Sequence, residues 1–531
     1  MPIRRLLAVA VASLALGAVP AARAGDEVAA AIRTVVETGV HPWLRRHDLG
    51  AYQTTARAVY EGEGWEAIWL DDGEPSSEAK EVIAHLAAAA VWGLEPNDYD
   101  ADRLAWEAER LQTKPRPTDT EAGHFDVGLS VAVMRYATDA YGGRVDPRQV
   151  GFGLEVEPKP FDLPRLVRDL ADDSPDERLK ALDPPFPLFG RLVVALAEMR
   201  AVVARKDLPV IPLDLPKLRE GDRSPALPEI RRLLTILGDL PEDAAPRRNP
   251  MRYDATLAAG VRRFQKRHGR ADDAVIGKAT LQDLRVPPRH REQQIELALE
   301  RLRWLPAQFT ARFIVVNVPE FRLRAFDAGT ETPRLSMGVV VGSAARGTET
   351  PIMHADMRYL IFQPIWTVPD EIAREEILPK AEKDPTYLEK QNMEYDPAGR
   401  IRQRPGPNNS LGLVKFILPN PYQVYLHDTP SKELFRRSRR DFSHGCIRVA
   451  DPVGLAEFVL DGAWDRARIV EAMKKGPERN RVDLAAPVPV YLLYTTAVVD
   501  PEGRIHFYED IYGHDARLAR ALANRYLGTA L

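Results

Sequence analysis

The sequence predicts an α+β multidomain protein: a helical N-terminal region, a small three-helix unit, and a mainly β C-terminal domain with an inserted lid. Three observations predict it. At 531 residues the chain is too long for one hydrophobic core. Apolar residues follow helical spacing up to about residue 286. From about 311 their period changes to two.

Each element has its own signal. Ala29 to Val40 and Ala79 to Trp92 are helical in pattern. Leu129, Val133, Tyr136 and Ala140 lie on one helical face that Gly142-Gly143 ends. Trp43, Trp65, Trp69 and Trp92 read as core or inter-helix packing residues. Proline-rich stretches at 184–187 and 208–216 mark connections. Residues 25–215 are therefore expected to form the helical region. Residues 220–286 form a compact unit, with Ile230, Leu233, Leu234 and Leu237 on one face and Tyr253, Leu257, Val261 and Phe264 on another. A proline- and arginine-rich insertion ending near Pro250 separates the two. Gly269 stops the second helix, and a third opens at Ile276-Gly277.

Residues 290–531 should form the β domain. Phe313–Val318, Phe321–Ala325 and Met337–Val341 are predicted strands. Val414–Leu418 and Tyr422–Leu426 flank Pro419-Asn420-Pro421 as a hairpin. Val490–Val499 and Arg504–Tyr508 flank the turn Asp500-Pro501-Glu502-Gly503. The span 370–412 is richer in charge, Pro, Gly and Asn, and reads as a lid over the sheet.

Composition narrows the function. Hydrophobic content of 45% and charged content of 28% are ordinary for a globular protein. A formal net charge of −4 without long single-sign runs gives no reason to invoke nucleic acid. Arg4-Arg5, the apolar run Leu6–Val19 and Ala22-Arg23-Ala24 read as a secretory signal over residues 1–24, with an uncleaved anchor as the alternative. The sequence thus predicts export. Cys446 is the single cysteine, so it has no disulfide partner in its own chain. A lone thiol outside the cytoplasm is a liability unless it has a task, and an inert buried Cys is the alternative.

The decisive segment is Ser443-His444-Gly445-Cys446-Ile447-Arg448-Val449, with His427 nineteen residues upstream. A thiol needs a base to become a thiolate near neutral pH, and His427 is placed to be that base. Gly445 allows a tight turn, and the main-chain N–H groups of Gly445 and Cys446 could stabilise an oxyanion. Asp451-Pro452 is a helix start that anchors the loop from behind.

This pattern resembles the catalytic motif of the L,D-transpeptidase family. Arg303-Trp304-Leu305-Pro306, Asn317-Val318-Pro319, Trp366-Thr367-Val368-Pro369, Pro405-Gly406-Pro407-Asn408-Asn409, Tyr425-Leu426-His427-Asp428-Thr429-Pro430 and Asp510-Ile511-Tyr512-Gly513 extend the resemblance to its large YcbB-type branch. Residues 220–286 resemble the three-helix peptidoglycan-binding domain through Tyr253, Asp254, Gln265, His268, Gly269, Asp273, Ile276, Gly277, Thr280 and Leu281. They depart from it where Asp273-Ala274 replaces Asp-Gly.

The resemblance implies a helical scaffold domain, a peptidoglycan-binding domain and a mainly β L,D-transpeptidase catalytic domain with a capping insertion. It implies Cys446 as nucleophile, His427 as base and a backbone carbonyl at Asp428 orienting that base. His444 would tune the field or serve as a structural hydrogen-bonder. Tyr425, Trp366, Arg448 and Asn409 would bind substrate, with core packing the alternative for Trp366. No cofactor or metal is implied. The partners would be peptidoglycan stem peptides and glycan strands, with cell-wall synthesis proteins as further candidates. The expected compartment is the periplasm, and the oligomeric state is left open.

Competing readings are a papain-like or NlpC-like hydrolase, a zinc site from His427, His444 and Cys446, and a non-catalytic wall-binding protein. The first would place the cysteine before the histidine, the reverse of the order here. The second has no carboxylate or second cysteine at ligand spacing. The third leaves the motif without a purpose. Within the enzyme reading, carboxypeptidase and exchange reactions remain alternatives to crosslinking.

Overall fold

The computed structural model describes residues 24–154, 161–243 and 249–525. The apolar run Leu6–Val19 lies outside them. No helix among the described residues is long and apolar enough to cross a membrane. The chain divides into two compact units, the first drawn from Met1–Ala88, Pro96–Ala137 and Asp162–Lys180, the second from the remainder.

The first unit is helical. Its helices include Ala24–Thr38, Tyr52–Gly62, Ser77–Ala87 and Ala101–Leu111. Ser76 caps the third by accepting from the Ala79 N–H. Trp69 is fully buried, and its indole N–H donates to Ser130 Oγ at 2.9 Å. Asp126 is buried beside it, accepts from the Trp69 N–H at 2.8 Å and from the Tyr60 hydroxyl at 2.7 Å, and has its pKa pushed up to about 6 by desolvation.

The second unit begins from a different helix arrangement than the apolar pattern suggests. Helix Pro187–Val203, expected with the N-terminal helices, shares a core with Leu299, Leu302, Phe313, Ala497 and Phe507. The small three-helix unit has helices Leu227–Ile236, Ala255–Arg267 and Lys278–Leu284 around Ile230, Leu234, Tyr253, Leu257, Phe264 and Ile276. Asp254 caps the second helix through the Leu257 N–H. Ala274 sits at φ +59°, in the left-handed region that costs a Cβ-bearing residue about 1–2 kcal/mol. The departure from Asp-Gly falls on the position where glycine is favoured.

The β domain is built on a sheet of nine strands among the described residues. Its order is Asp441–Ser443, Leu335–Gly342, Ile447–Val449, Leu426–His427, Val414–Ile417, Met353–Phe362, Asn480–Leu493, Phe313–Asn317 and Arg322–Phe326. The last strand pairs back onto Leu335–Gly342, so the sheet closes on itself. Alternation sends Ile314, Val316, Leu323, Val339, Val341, Leu360, Phe416, Leu426 and Ile447 into one core. Helix Pro452–Leu460 covers that core, with Asp451 Oδ1 accepting from the Gly454 N–H at 2.9 Å.

Two expected hairpins differ. The second arm of the first, expected over Tyr422–Leu426, is a strand only at Leu426–His427, because Asn420 ties the preceding residues into a turn, donating to the Leu418 and Val424 carbonyls at 2.6 and 2.7 Å. The expected strand 490–499 breaks after Leu493, and Ala497–Val499 pairs separately with Ile505–Phe507. Residues in the lid span form a small subdomain with its own sheet, Trp366–Thr367, Ile401–Gln403 and Met393–Tyr395, over a core of Val368, Ile377, Met393 and Ile401.

Candidate active site

The register of three short strands assembles the site. His427 pairs with Lys415 on one side and, in parallel, with Arg448 on the other. Leu426 pairs with Ile447, which places Cys446 beside Tyr425. Alternation along a strand then turns Tyr425, His427, Cys446, Arg448 and Lys415 to one face. The contacts agree. The Tyr425 and His427 rings are 5.8 Å apart, and Lys415 Nζ lies 5.3 Å from the Tyr425 ring centre.

His427 is buried, and its Nδ1–H donates to the Asp428 carbonyl at 2.6 Å. That bond fixes the tautomer with Nε2 as the acceptor. Burial, with the charges of Arg448 and Lys415, pushes its pKa down to about 3. The Asp428 carboxylate is used elsewhere, accepting from the Leu413 N–H at 2.9 Å and from Lys432 Nζ at 2.6 Å. Its main chain alone meets the imidazole, as the family pattern implies.

Cys446 is partly buried. Burial pushes its thiol up, opposed by hydrogen bonds from the main chain and hydroxyl of Tyr425 and by the charges of Lys415 and Arg448. Among the described residues no hydrogen bond joins Sγ to the imidazole, and Sγ instead lies 4.0 Å from the Gln423 carbonyl. The register explains this: Cys446 stands across from Tyr425 and Arg448 across from His427, so thiol and imidazole are diagonal neighbours.

Gly445 adopts φ +106°, a conformation that disfavours any Cβ. Its N–H donates to Ser443 Oγ at 3.3 Å, so of the two expected main-chain oxyanion donors that one is already engaged. The Cys446 N–H has no partner among the described residues. Ser443 Oγ donates in turn to the Cys446 carbonyl at 2.5 Å.

The remaining expected residues separate. Arg448 is half-buried, without an ion pair among the described residues, and its Nε lacks a hydrogen-bond partner. His444 is exposed and points at the lid, with Nε2 2.9 Å from Glu376 Oε1. Arg346 Nη1 donates to the same oxygen at 2.9 Å. Trp366 is half-buried against the lid core, which is the packing alternative. Asn409, expected to bind substrate, is engaged within the protein. It is buried, its Nδ2 donates to the Pro364 and Arg404 carbonyls at 3.1 and 2.9 Å, and its Oδ1 accepts from the Leu411 N–H at 2.8 Å. It staples the base of the lid and has nothing left for a substrate.

Lys415, Glu376 and Arg346 were not found from sequence. Lys415 could have been, since it alternates between the apolar Val414 and Phe416 beside the histidine strand.

Comparison with known proteins follows this geometry. Residues 311–471 match the L,D-transpeptidase catalytic domain (YkuD). Residues 54–196 match a scaffold domain, and residues 223–284 match the "Putative peptidoglycan binding domain". The chain is 32% identical over 255 residues, 44% of its length, to the Haemophilus influenzae protein named "Putative L,D-transpeptidase". It is 34% identical over 147 residues, 27% of its length, to the N-acetylmuramoyl-L-alanine amidase CwlM of Mycobacterium tuberculosis. The matches cover 50% and 33% of those relatives' own lengths. A solved Clostridium acetobutylicum amidase/peptidase with a peptidoglycan-binding domain is 12% identical over 53% of this chain and 100% of its own, at a TM-score of 0.16, too low to carry an argument. Residues 311–471 are thus similar to the L,D-transpeptidase catalytic domain. Its scaffold-like and peptidoglycan-binding-like segments precede that domain in the order that the large YcbB-type branch shows.

Proposed function

We propose that the protein is an exported, periplasmic peptidoglycan L,D-transpeptidase that crosslinks stem peptides through an acyl-enzyme on Cys446. The observation that carries this reading is one sheet face bearing a lone thiol, a neutral imidazole held by a main-chain carbonyl, and an unpaired guanidinium.

The chemistry balances on these groups. The thiol turns toward His427 as the donor binds, and its proton passes to Nε2 while Sγ bonds to the carbonyl carbon at the L-centre of the third stem residue. Both groups are neutral at rest, since burial disfavours thiolate and imidazolium alike. Proton transfer therefore accompanies attack. The negative charge gathers on the carbonyl oxygen, where the Cys446 N–H is the available donor. The C–N bond to the terminal D-Ala breaks, and the amine leaves with the imidazolium proton. An incoming amine then attacks the thioester and gives a proton to His427, which returns it to the departing sulfur and restores the neutral thiol. Arg448 suits a donor carboxylate. Lys415 and Tyr425 complete the wall beside the thiol.

Intact mass after incubation with meropenem should show one covalent adduct, lost in Cys446→Ala, because the strained β-lactam carbonyl resembles the donor. An unmodified wild-type protein would overturn the reading. Incubation with purified tetrapeptide muropeptides should give dimers with loss of D-Ala. Tripeptides alone would make the enzyme a carboxypeptidase, and retained peptidoglycan binding without turnover would leave a binding protein.

A further inference from the structure

Thr350 lies outside the cysteine motif, yet it touches the loop at one decisive atom. It is fully buried. Its hydroxyl donates to the Gly445 carbonyl at 2.8 Å and accepts from the Gly342 N–H at 2.8 Å. Its own N–H donates to Tyr512 Oη at 3.2 Å, and the Tyr512 hydroxyl donates to the Gly342 carbonyl at 2.6 Å. Three of these bonds close a ring around residue 342, where a Cβ would run into the Thr348 carbonyl and the Thr350 nitrogen, and the fourth leads from it to Gly445. The ring is itself tied down. The Tyr512 N–H donates to Tyr494 Oη at 2.9 Å, and the Tyr494 hydroxyl donates to Asp510 Oδ1 at 2.5 Å.

The consequence for chemistry follows from peptide planarity. The Gly445 carbonyl and the Cys446 N–H belong to one rigid trans unit and point in opposite directions. Gly445 is the residue least able to hold its own conformation, so something must set the rotation of that plane. Ser443 holds the Gly445 N–H and the Cys446 carbonyl on either side of it. Thr350 alone among these contacts holds the plane itself, through its oxygen.

Building on the acyl-transfer reading above, we infer that Thr350 is a positioning residue whose hydroxyl aims the Cys446 N–H at the oxyanion of the donor carbonyl. The Tyr512–Tyr494–Asp510 chain anchors it in the domain interior. The inference concerns acylation specifically. Loss of the thiol proton depends on His427, Tyr425, Lys415 and Arg448, none of which the ring touches.

Two reactions of Cys446 separate these roles. Acylation by meropenem passes through an oxyanion, whereas alkylation by iodoacetamide needs the thiolate alone. Thr350→Val removes the hydroxyl at nearly constant volume. It should slow acylation by about 10- to 100-fold, at or below the effect of deleting an oxyanion donor outright. The alkylation rate should stay within about twofold, because no charge beside the sulfur changes. Thr350→Ser keeps the hydroxyl and should recover most of the acylation rate. If the valine variant does not fold, Thr350→Ala serves in its place. Equal loss of acylation and alkylation, normal acylation in Thr350→Val, or a serine variant as slow as the valine variant would overturn the inference. A wild-type protein that alkylates but never acylates would instead overturn the transferase reading, and this one with it.

Discussion

Two histidines flank the thiol, and their surroundings are opposites. His427 is buried in the sheet and bonded to a main-chain carbonyl, with cations as its charged neighbours. His444 is exposed at the rim, and a lid carboxylate shared with Arg346 meets its ring. The difference teaches what each can do. An imidazole buried without a carboxylate partner rests neutral, with its Nδ1–H held by a main-chain carbonyl and Nε2 left to accept a proton. His444 instead meets a lid carboxylate that Arg346 also bonds, a contact suited to tying the loop to the lid. Two residues of one type near one sulfur thus sit in opposite surroundings, and the proposed chemistry gives them different tasks.

The largest expected effect tests the first half of that contrast. His427→Ala should lower meropenem acylation and muropeptide turnover by about 10²- to 10⁴-fold, the usual contribution of a positioned base. His444→Ala should cost less than tenfold in the same assays, by the modest worth of exposed pairs. Comparable losses in the two variants would break the comparison.

The next effect is in pH. The His427 pKa is lowered to about 3 in the folded state, below the ordinary 6.5, so below pH 6.5 the unfolded chain binds a proton that the folded chain refuses. The stability this neutral histidine carries is whole above pH 6.5 and is lost as pH falls toward 3, at up to about 1.4 kcal/mol per pH unit. Buried His514, lowered to about 4, acts in the same direction. Denaturant melts from pH 7 to 4 should therefore show a shallower acid loss in His427→Gln than in wild type. Arg448→Gln removes a positive neighbour that lowers the His427 pKa, so the pKa should rise and the acid limb of the pH–rate profile should move upward. An unmoved or downward-shifted limb would separate Arg448 from the base.

The sequence carried one side of this contrast better than the other. His427, Gly445 and Cys446 were legible because one loop and two short neighbouring strands place them, and their spacing is a local property. The lid's Glu376 and the buried Thr350 were not, because their partners lie 68 and 95 residues away. Such pairings leave no periodic trace. The strand Met353–Phe362 did leave one, in the alternate burial of Met353, Ala355 and Met357, and was overlooked among the polar residues between them. Its partner, Asn480–Leu493, starts in exposed, charged sequence whose pairing depends on the finished sheet. Asn409 is the converse case. A conspicuous polar residue in a Pro-Gly-rich segment suggested binding, and its hydrogen bonds close a turn instead.

The smallest expected effect sharpens the second half of the comparison. Glu376 belongs to a π-helical turn of the lid, Ala373–Ile377, a geometry frequent at functional sites. If His444 is a strut, its worth lies in the pair with Glu376. His444→Asn and Glu376→Gln should then each weaken donor binding slightly, and the double variant should weaken it no further than either alone. For so exposed a pair the coupling should be about 0.5–1 kcal/mol and should shrink in high salt. Strictly additive effects would mean that the two side chains act separately, and a kcat loss confined to His444→Asn would return that residue to the chemistry. The sign of the coupling matters more than its size: it says whether the lid and the nucleophile loop move as one piece when the donor enters.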